Sequence, residues 1–154
     1  MNDSSKLSRM ALESGAIRLS PEKPFTWASG YKMPIYNDNR LLLGKAEYRS
    51  FIAQIFAKYS EASVDNVDVI SGTATAGIPH ATTLADRLSK PLIYVRATTK
   101  SHGMGNQIEG PLVPGQKVLL IEDLISTGGS AINAVNAIRE VGGIVENCFC
   151  IFSY

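Results

Sequence analysis

The residues best placed to do chemistry form one continuous run, Glu122-Asp123-Leu124-Ile125-Ser126-Thr127-Gly128-Gly129-Ser130. The apolar stretch Val118–Ile121 precedes it and a helical pattern follows it. Free backbone N–H groups and the positive dipole end at a helix start suit a phosphate. Gly128 and Gly129 let a ligand approach the backbone, and Ser126, Thr127 and Ser130 add hydroxyl donors. The adjacent acids would repel a phosphate aimed at them. They suit the hydroxyls of a ribose and a magnesium ion, which prefers oxygen ligands. Alone, Ser-Thr-Gly-Gly-Ser reads equally well as a helix cap. Two acids directly after a buried strand favour the binding reading.

Two further segments could serve the same ligand. Ser71-Gly72-Thr73-Ala74-Thr75-Ala76-Gly77 is a tight run of small and hydroxyl residues able to offer N–H groups to a diphosphate. Ordinary turn chemistry explains it too. Arg96 to Gln107 contains Arg96, Lys100 and His102 with Gly103 and Gly105, and lacks hydrophobic periodicity. It reads as a mobile loop whose cations can close on a departing diphosphate, with a solvated loop as the plain alternative. No Walker A sequence occurs, and Gly103-x-Gly105 does not open a helix as a dinucleotide fingerprint must.

The elements between these segments must bring them together. Leu7, Met10 and Ala11 predict a short N-terminal helix, and 25–27 and 34–36 are extended. Tyr48, Phe51, Ile52, Ile55, Phe56 and Tyr59 recur at helical spacing. Strands are expected over 67–71, 92–96, 118–121 and 144–152. Helices follow from Ile78, Ala81, Thr82, Ala85 and Leu88, and from Ala131, Ala134, Val135, Ile138 and Val141, the latter stopped by Gly142-Gly143. The order β-α-β-loop-β-α-β predicts an α/β fold: a parallel sheet with helices on both faces and ligands at the carboxyl ends of its strands. All three segments leave such ends.

Composition sets the limits. At 154 residues, 45% hydrophobic and 19% charged, the chain can build one core. A net charge of +1 gives no bulk attraction to nucleic acid or membrane, so anion binding must be local. No apolar run nears the ~20 residues of a membrane span, and Met1–Lys6 lacks a secretory signal's apolar core. Cys148 and Cys150 read as two buried, reduced thiols, consistent with a cytoplasmic setting.

The three segments together resemble the type I phosphoribosyltransferases, and the run Val118–Ser130 resembles that family's signature for 5-phosphoribosyl 1-diphosphate (PRPP). Within the family the chain resembles the orotate-using branch. This rests on Phe25–Gly30, Pro34–Arg40, Gly72–His80, Lys100–Gly103 and Gly105–Gly110. The resemblance implies a parallel sheet flanked by helices with a small N-terminal hood, in a single domain of hood (1–40) and α/β core (41–154). Relatives usually continue for several dozen residues, so the core is expected to be shortened at its C-terminal end. It implies a pentosyltransferase that moves phosphoribosyl from PRPP to orotate in pyrimidine synthesis. A PRPP-binding regulator and a purine-type enzyme are the alternatives.

Carried over by residue, Arg96, Lys100, His102, Glu122, Asp123, Leu124, Ile125, Ser126, Thr127, Gly128, Gly129 and Ser130 would bind PRPP. Thr75 and Ala76 would form the diphosphate turn. Ser126, Tyr36 and Asn37 would meet orotate. Lys100, His102, Asp123 and Glu122 would carry the catalysis. The resemblance also implies Mg2+ held mainly through PRPP without a firm protein ligand, and a homodimer whose loop enters the neighbouring subunit's site. Nucleic acid and membrane partners are not expected.

Overall fold

The computed structural model describes residues 2–27, 30–63, 66–98 and 107–154. Contacts divide the chain into two units, Met1–Tyr48 and Arg49–Tyr154. The first opens with α1 (Asp3–Glu13), capped by the Asn2 side chain, which accepts from the Ser5 N–H at 2.8 Å. Two antiparallel ribbons follow, β1 (Ile17–Leu19) with β4 (Ile35–Asn37) and β2 (Phe25–Thr26) with β3 (Lys32–Met33). A 3-10 helix, Asn39–Gly44, completes the unit. Pieces this short hold no periodic signal, and β1, β3 and the 3-10 helix were not legible in the sequence.

The second unit carries α2 (Ala46–Ser63, opening at the junction), β5 (Val69–Thr73), α3 (Gly77–Leu88) and β6 (Leu92–Val95). It continues with β7 (Ile108–Glu109), β8 (Lys117–Ile125), α4 (Gly129–Glu140) and β9 (Ile144–Ser153). The sheet order is β7-β6-β5-β8-β9. The last four are mutually parallel, and the two-residue β7 adds an antiparallel edge. The expected α/β architecture is present. α2 and α3 cover one face, with Phe56 against Phe149 at 6.0 Å between centroids. α4 covers the other, where Ala134, Ala137 and Ile138 pack on Val69, Val118 and Leu120.

Burial corrects two details of the helical stripes. Tyr59 and Val141 are 46% and 48% exposed, so neither lies on the core side, and Ala137 takes the buried place on α4. Gly142, at φ +86°, ends α4 as expected. Cys148 and Cys150 are free and half-buried rather than fully enclosed.

The strand carrying the acids is longer than the apolar run suggested. β8 continues through Glu122, Asp123 and Leu124 to Ile125, so both acids are strand residues and the turn proper is Ser126–Gly128. Val118, Leu119, Leu120 and Ile121 are all buried, each stabilising by about 1.5–3 kcal/mol. That anchors the strand tip firmly enough to hold a polar continuation.

Gly77 closes the β5–α3 turn directly over β8. A Cβ there would lie 2.5 Å from the Ile121 carbonyl oxygen, a backbone atom that cannot swing aside. Gly77→Ala should therefore cost about 1–3 kcal/mol of stability, the range for overpacking. Urea denaturation measures this, and an unchanged midpoint would show that the turn can lift off the strand.

Candidate functional site

The site lies at the carboxyl ends of β5, β6 and β8, where they meet the first turn of α4. At its centre is a hollow of about 100 Å³ lined by Glu122, Leu124–Ser130 and Ala131. A single water needs only about 10–15 Å³ by a comparable measure, so the space admits a larger polar group. Gly128 is the N-cap residue of α4 at φ +82°, a conformation open to glycine at little cost. Its carbonyl accepts from Ile132 N–H at 2.9 Å, and no side chain caps the first-turn N–H groups. Gly129 has nothing nearer to a would-be Cβ than Thr127 Oγ1 at 3.9 Å, so hydrogen there keeps the floor of the hollow flat. Ser126, Thr127 and Ser130 are exposed around it, each able to donate a hydroxyl.

A second hollow, about 250 Å³, shares Gly129 and Ser130 with the first. Thr73, Ala74, Arg96, Ala97, Asn133 and Ala134 complete it. Thr73 Oγ1 and Arg96 Nη1 are both buried there with no hydrogen-bond partner among the described residues. Unused buried donors are rare in folded proteins and point to a polar ligand. Glu109 Oε1 lies 3.7 Å from Arg96 Nη1, too far for a hydrogen bond. Thr75 and Ala76 sit at the tip of the adjoining turn, Thr75 exposed, and the Ala74–Thr75 peptide is cis.

The acids are not a facing pair. As successive residues of a pleated strand their side chains leave opposite faces. Glu122 is only 6% exposed, while Asp123 is half-buried. Burial first, and the Asp123 charge second, push Glu122 up to about 7, although the Asp123 backbone N–H donated to its carboxylate pulls the other way. Cys150 lies beside Glu122 in the β8–β9 register. Burial and the Glu122 charge raise the Cys150 thiol, and burial, with smaller charge effects from Cys150 and Glu122, pushes Cys148 up to about 12. Both thiols are thus unreactive neighbours rather than nucleophiles.

The other expected residues divide by location. Lys100 and His102 lie outside the described residues. Tyr36 and Asn37 belong to the N-terminal unit. Tyr36 meets Phe25 in a tilted ring pair with centroids 5.6 Å apart, and the Arg18 guanidinium lies 5.0 Å from the centre of its ring. Asn37 is buried with both amide atoms unpartnered. Thr73 belongs to the Ser71–Gly77 run expected to face a diphosphate, whereas Asn133 and the packing role of Gly77 were not picked out from the sequence. Asn133 could have been, since it stands four residues after Gly129 and so on the same side of the helix.

Glu122 makes stability depend on pH. The folded carboxyl keeps its proton to about 7, whereas an ordinary one releases it near 4.5. The folded state thus binds more protons between those values, and stability falls as pH rises through them. Glu122→Gln cannot ionise. It should match the parent below pH 4.5 and exceed it above pH 7 by up to about 3 kcal/mol. His80, buried and held neutral down to about 4, also titrates in this range, and comparing variant with parent cancels it. Urea titrations across pH 4–8 test this; a difference constant with pH would contradict it.

Comparison with known proteins agrees with the geometry. The family profile of the phosphoribosyl transferase domain matches residues 42–152. The orotate phosphoribosyltransferase of Listeria innocua is 53% identical over the whole of this chain, which covers 74% of that relative. Among solved structures, orotate phosphoribosyltransferase from Aeropyrum pernix superposes with a TM-score of 0.81 at 32% identity, covering 94% of this chain and 79% of that one. The Mycobacterium tuberculosis orotate phosphoribosyltransferase in complex with PRPP gives 0.72 at 25% identity, covering 99% and 83%. With its signature strand, cradle and turn in one sheet, the chain belongs to the phosphoribosyltransferase family, in its orotate phosphoribosyltransferase branch.

Proposed function

We propose that the protein transfers the phosphoribosyl group of PRPP to orotate, giving orotidine 5′-monophosphate and diphosphate in pyrimidine synthesis. The observation that carries this is the pair of hollows meeting on Gly129 and Ser130. A ligand with phosphate at both ends of a sugar matches that layout. The 5′-phosphate sits on the first turn of α4, and the 1-diphosphate lies toward Thr73 and Arg96. The ribose lies between them at the tip of β8, where Glu122 lines the first hollow and can accept from its hydroxyls, while Asp123, on the other face of the strand, adds its negative field.

The reaction needs no protein nucleophile. A ring nitrogen of orotate attacks C1 and gives up its proton, the C1–oxygen bond breaks, and its electron pair leaves with the diphosphate, whose oxygens can take up that proton. Positive charge grows on the sugar and negative charge on the leaving group. Carboxylates at the strand tip favour the first. Arg96, Lys100 and His102 favour the second, fixed donors being worth most where water is excluded. Glu122, poised near 7, gives up its proton more readily as the cationic sugar develops beside it.

Magnesium fits this donor set as a companion of the substrate. Among the described residues no three His, Cys, Asp or Glu side chains gather to hold an ion, so the phosphate and ribose oxygens of PRPP would supply most of the oxygen ligands it prefers. Bound, it neutralises phosphate charge. Ser126, Tyr36 and Asn37 are assigned to orotate. A homodimer completes each site with the neighbouring loop, and a cytoplasmic location suits the soluble substrates. No helix among the described residues is long and apolar enough to cross a membrane.

The deciding assay is diphosphate release from Mg–PRPP with orotate, against adenine or hypoxanthine. Release with orotate alone is expected, and Lys100→Ala should lower it about 10²-fold or more without moving the melting temperature. No orotate dependence would refute the assignment. Gly129→Ala should fold at least as well, because alanine favours the helix and meets open space. It should bind PRPP weakly because its methyl stands in the cradle. Tight PRPP binding by that variant would move the phosphate elsewhere.

A further inference from the structure

Arg96 is the only cation among the described residues lining either hollow, and its position depends on the chain just beyond β6. β6 ends at Val95, so Arg96 and Ala97 lie outside the main parallel ladder. Their backbone is held instead by two neutral side-chain amides. Gln107 Nε2 donates to the Arg96 carbonyl at 2.9 Å, alongside the backbone bond from Arg96 N–H to Gln107 O, also 2.9 Å. From the other side, Asn133 Nδ2 donates to the Ala97 carbonyl at 3.2 Å. Asn133 stands one turn along α4 from Gly129, so this bond ties the peptide after Arg96 to the helix whose N-terminus forms the cradle.

We propose that Asn133 is a positioning residue: its amide fixes the Arg96–Ala97 backbone against α4 and so holds the Arg96 guanidinium over the second hollow. The inference rests on the reading of that hollow as the diphosphate end of the site. The bond is solvent-exposed, and its tie to the site comes from its surroundings. Asn133 itself lines the hollow together with both residues it tethers. Its partner is a backbone carbonyl, which a side-chain rotation cannot carry away. The ion pair that Arg96 makes with Glu109 is long, 3.7 Å, and so constrains the guanidinium only loosely. A long, rotamer-rich side chain attached to a loosely held peptide would spend its binding energy on being ordered.

The test is a double-mutant cycle in the full chain, with Mg–PRPP binding read by calorimetry and KM values by turnover. Arg96→Ala should weaken PRPP more than about tenfold, as for a hydrogen bond to a charged group. Asn133→Leu, similar in size but unable to donate, should weaken it about three- to tenfold and leave the orotate KM unchanged. In the Arg96→Ala background Asn133→Leu should add nothing, because its effect passes through Arg96. Parental PRPP binding by Asn133→Leu, or an undiminished effect in the double variant, overturns the inference while leaving the diphosphate reading intact. Parental binding by Arg96→Ala would instead remove Arg96 from the site, and the proposal with it.

Discussion

A carboxyl group kept from water at the end of a buried strand is the constraint around which this site is built. β8 stays in the sheet through Ile125, so Glu122 inherits the burial of the apolar residues before it. Ionising it there costs free energy that four buried aliphatic side chains can offset. The acid is therefore held in place by the core and poised by burial. The neighbouring Asp123, on the other face of the strand, sets a local field that a cation relieves.

The same strand tip fixes the rest of the geometry. α3 begins where Gly77 crosses the Ile121 carbonyl, which brings the β5 turn close to the acids. α4 begins where Gly128 turns the chain back with φ +82°. Two turns with different demands on their glycines thus converge on one point: Gly77 avoids a collision, Gly128 permits a dihedral, and Gly129 leaves room for a ligand. The hollows are the space these turns leave at the carboxyl ends of parallel strands, where α/β sheets bind their ligands.

Much of this was legible in the sequence. Long periodic segments announced α2, α3 and α4, and the continuous apolar run at 118–121 announced a strand buried on both faces. The glycine and hydroxyl residues after it marked the cradle. The true length of β8 was hidden because Glu122 and Asp123 look like a loop, and the pairing of Leu124 with Phe152 and Ile125 with Ser153 shows that the ladder continues past them. Asn133 was hidden for a different reason. Its role depends on Ala97, 36 residues away, a contact that no local pattern encodes. Tyr59 and Val141 kept the helical period yet face solvent, because period fixes a face only to within the width of the stripe.

The strand order carries a consequence for how the molecule is assembled. β5 lies between β6 and β8, and Asp68, at its start, receives the Lys117 N–H from 49 residues away. The middle of the sheet thus joins distant parts of the chain, and each such closure costs chain entropy before burial repays it. A sheet closed by such distant pairings folds more slowly than one built from neighbouring segments, so the rate at which the chain gains its sheet is set by the same crossovers that bring the strand ends of the site together.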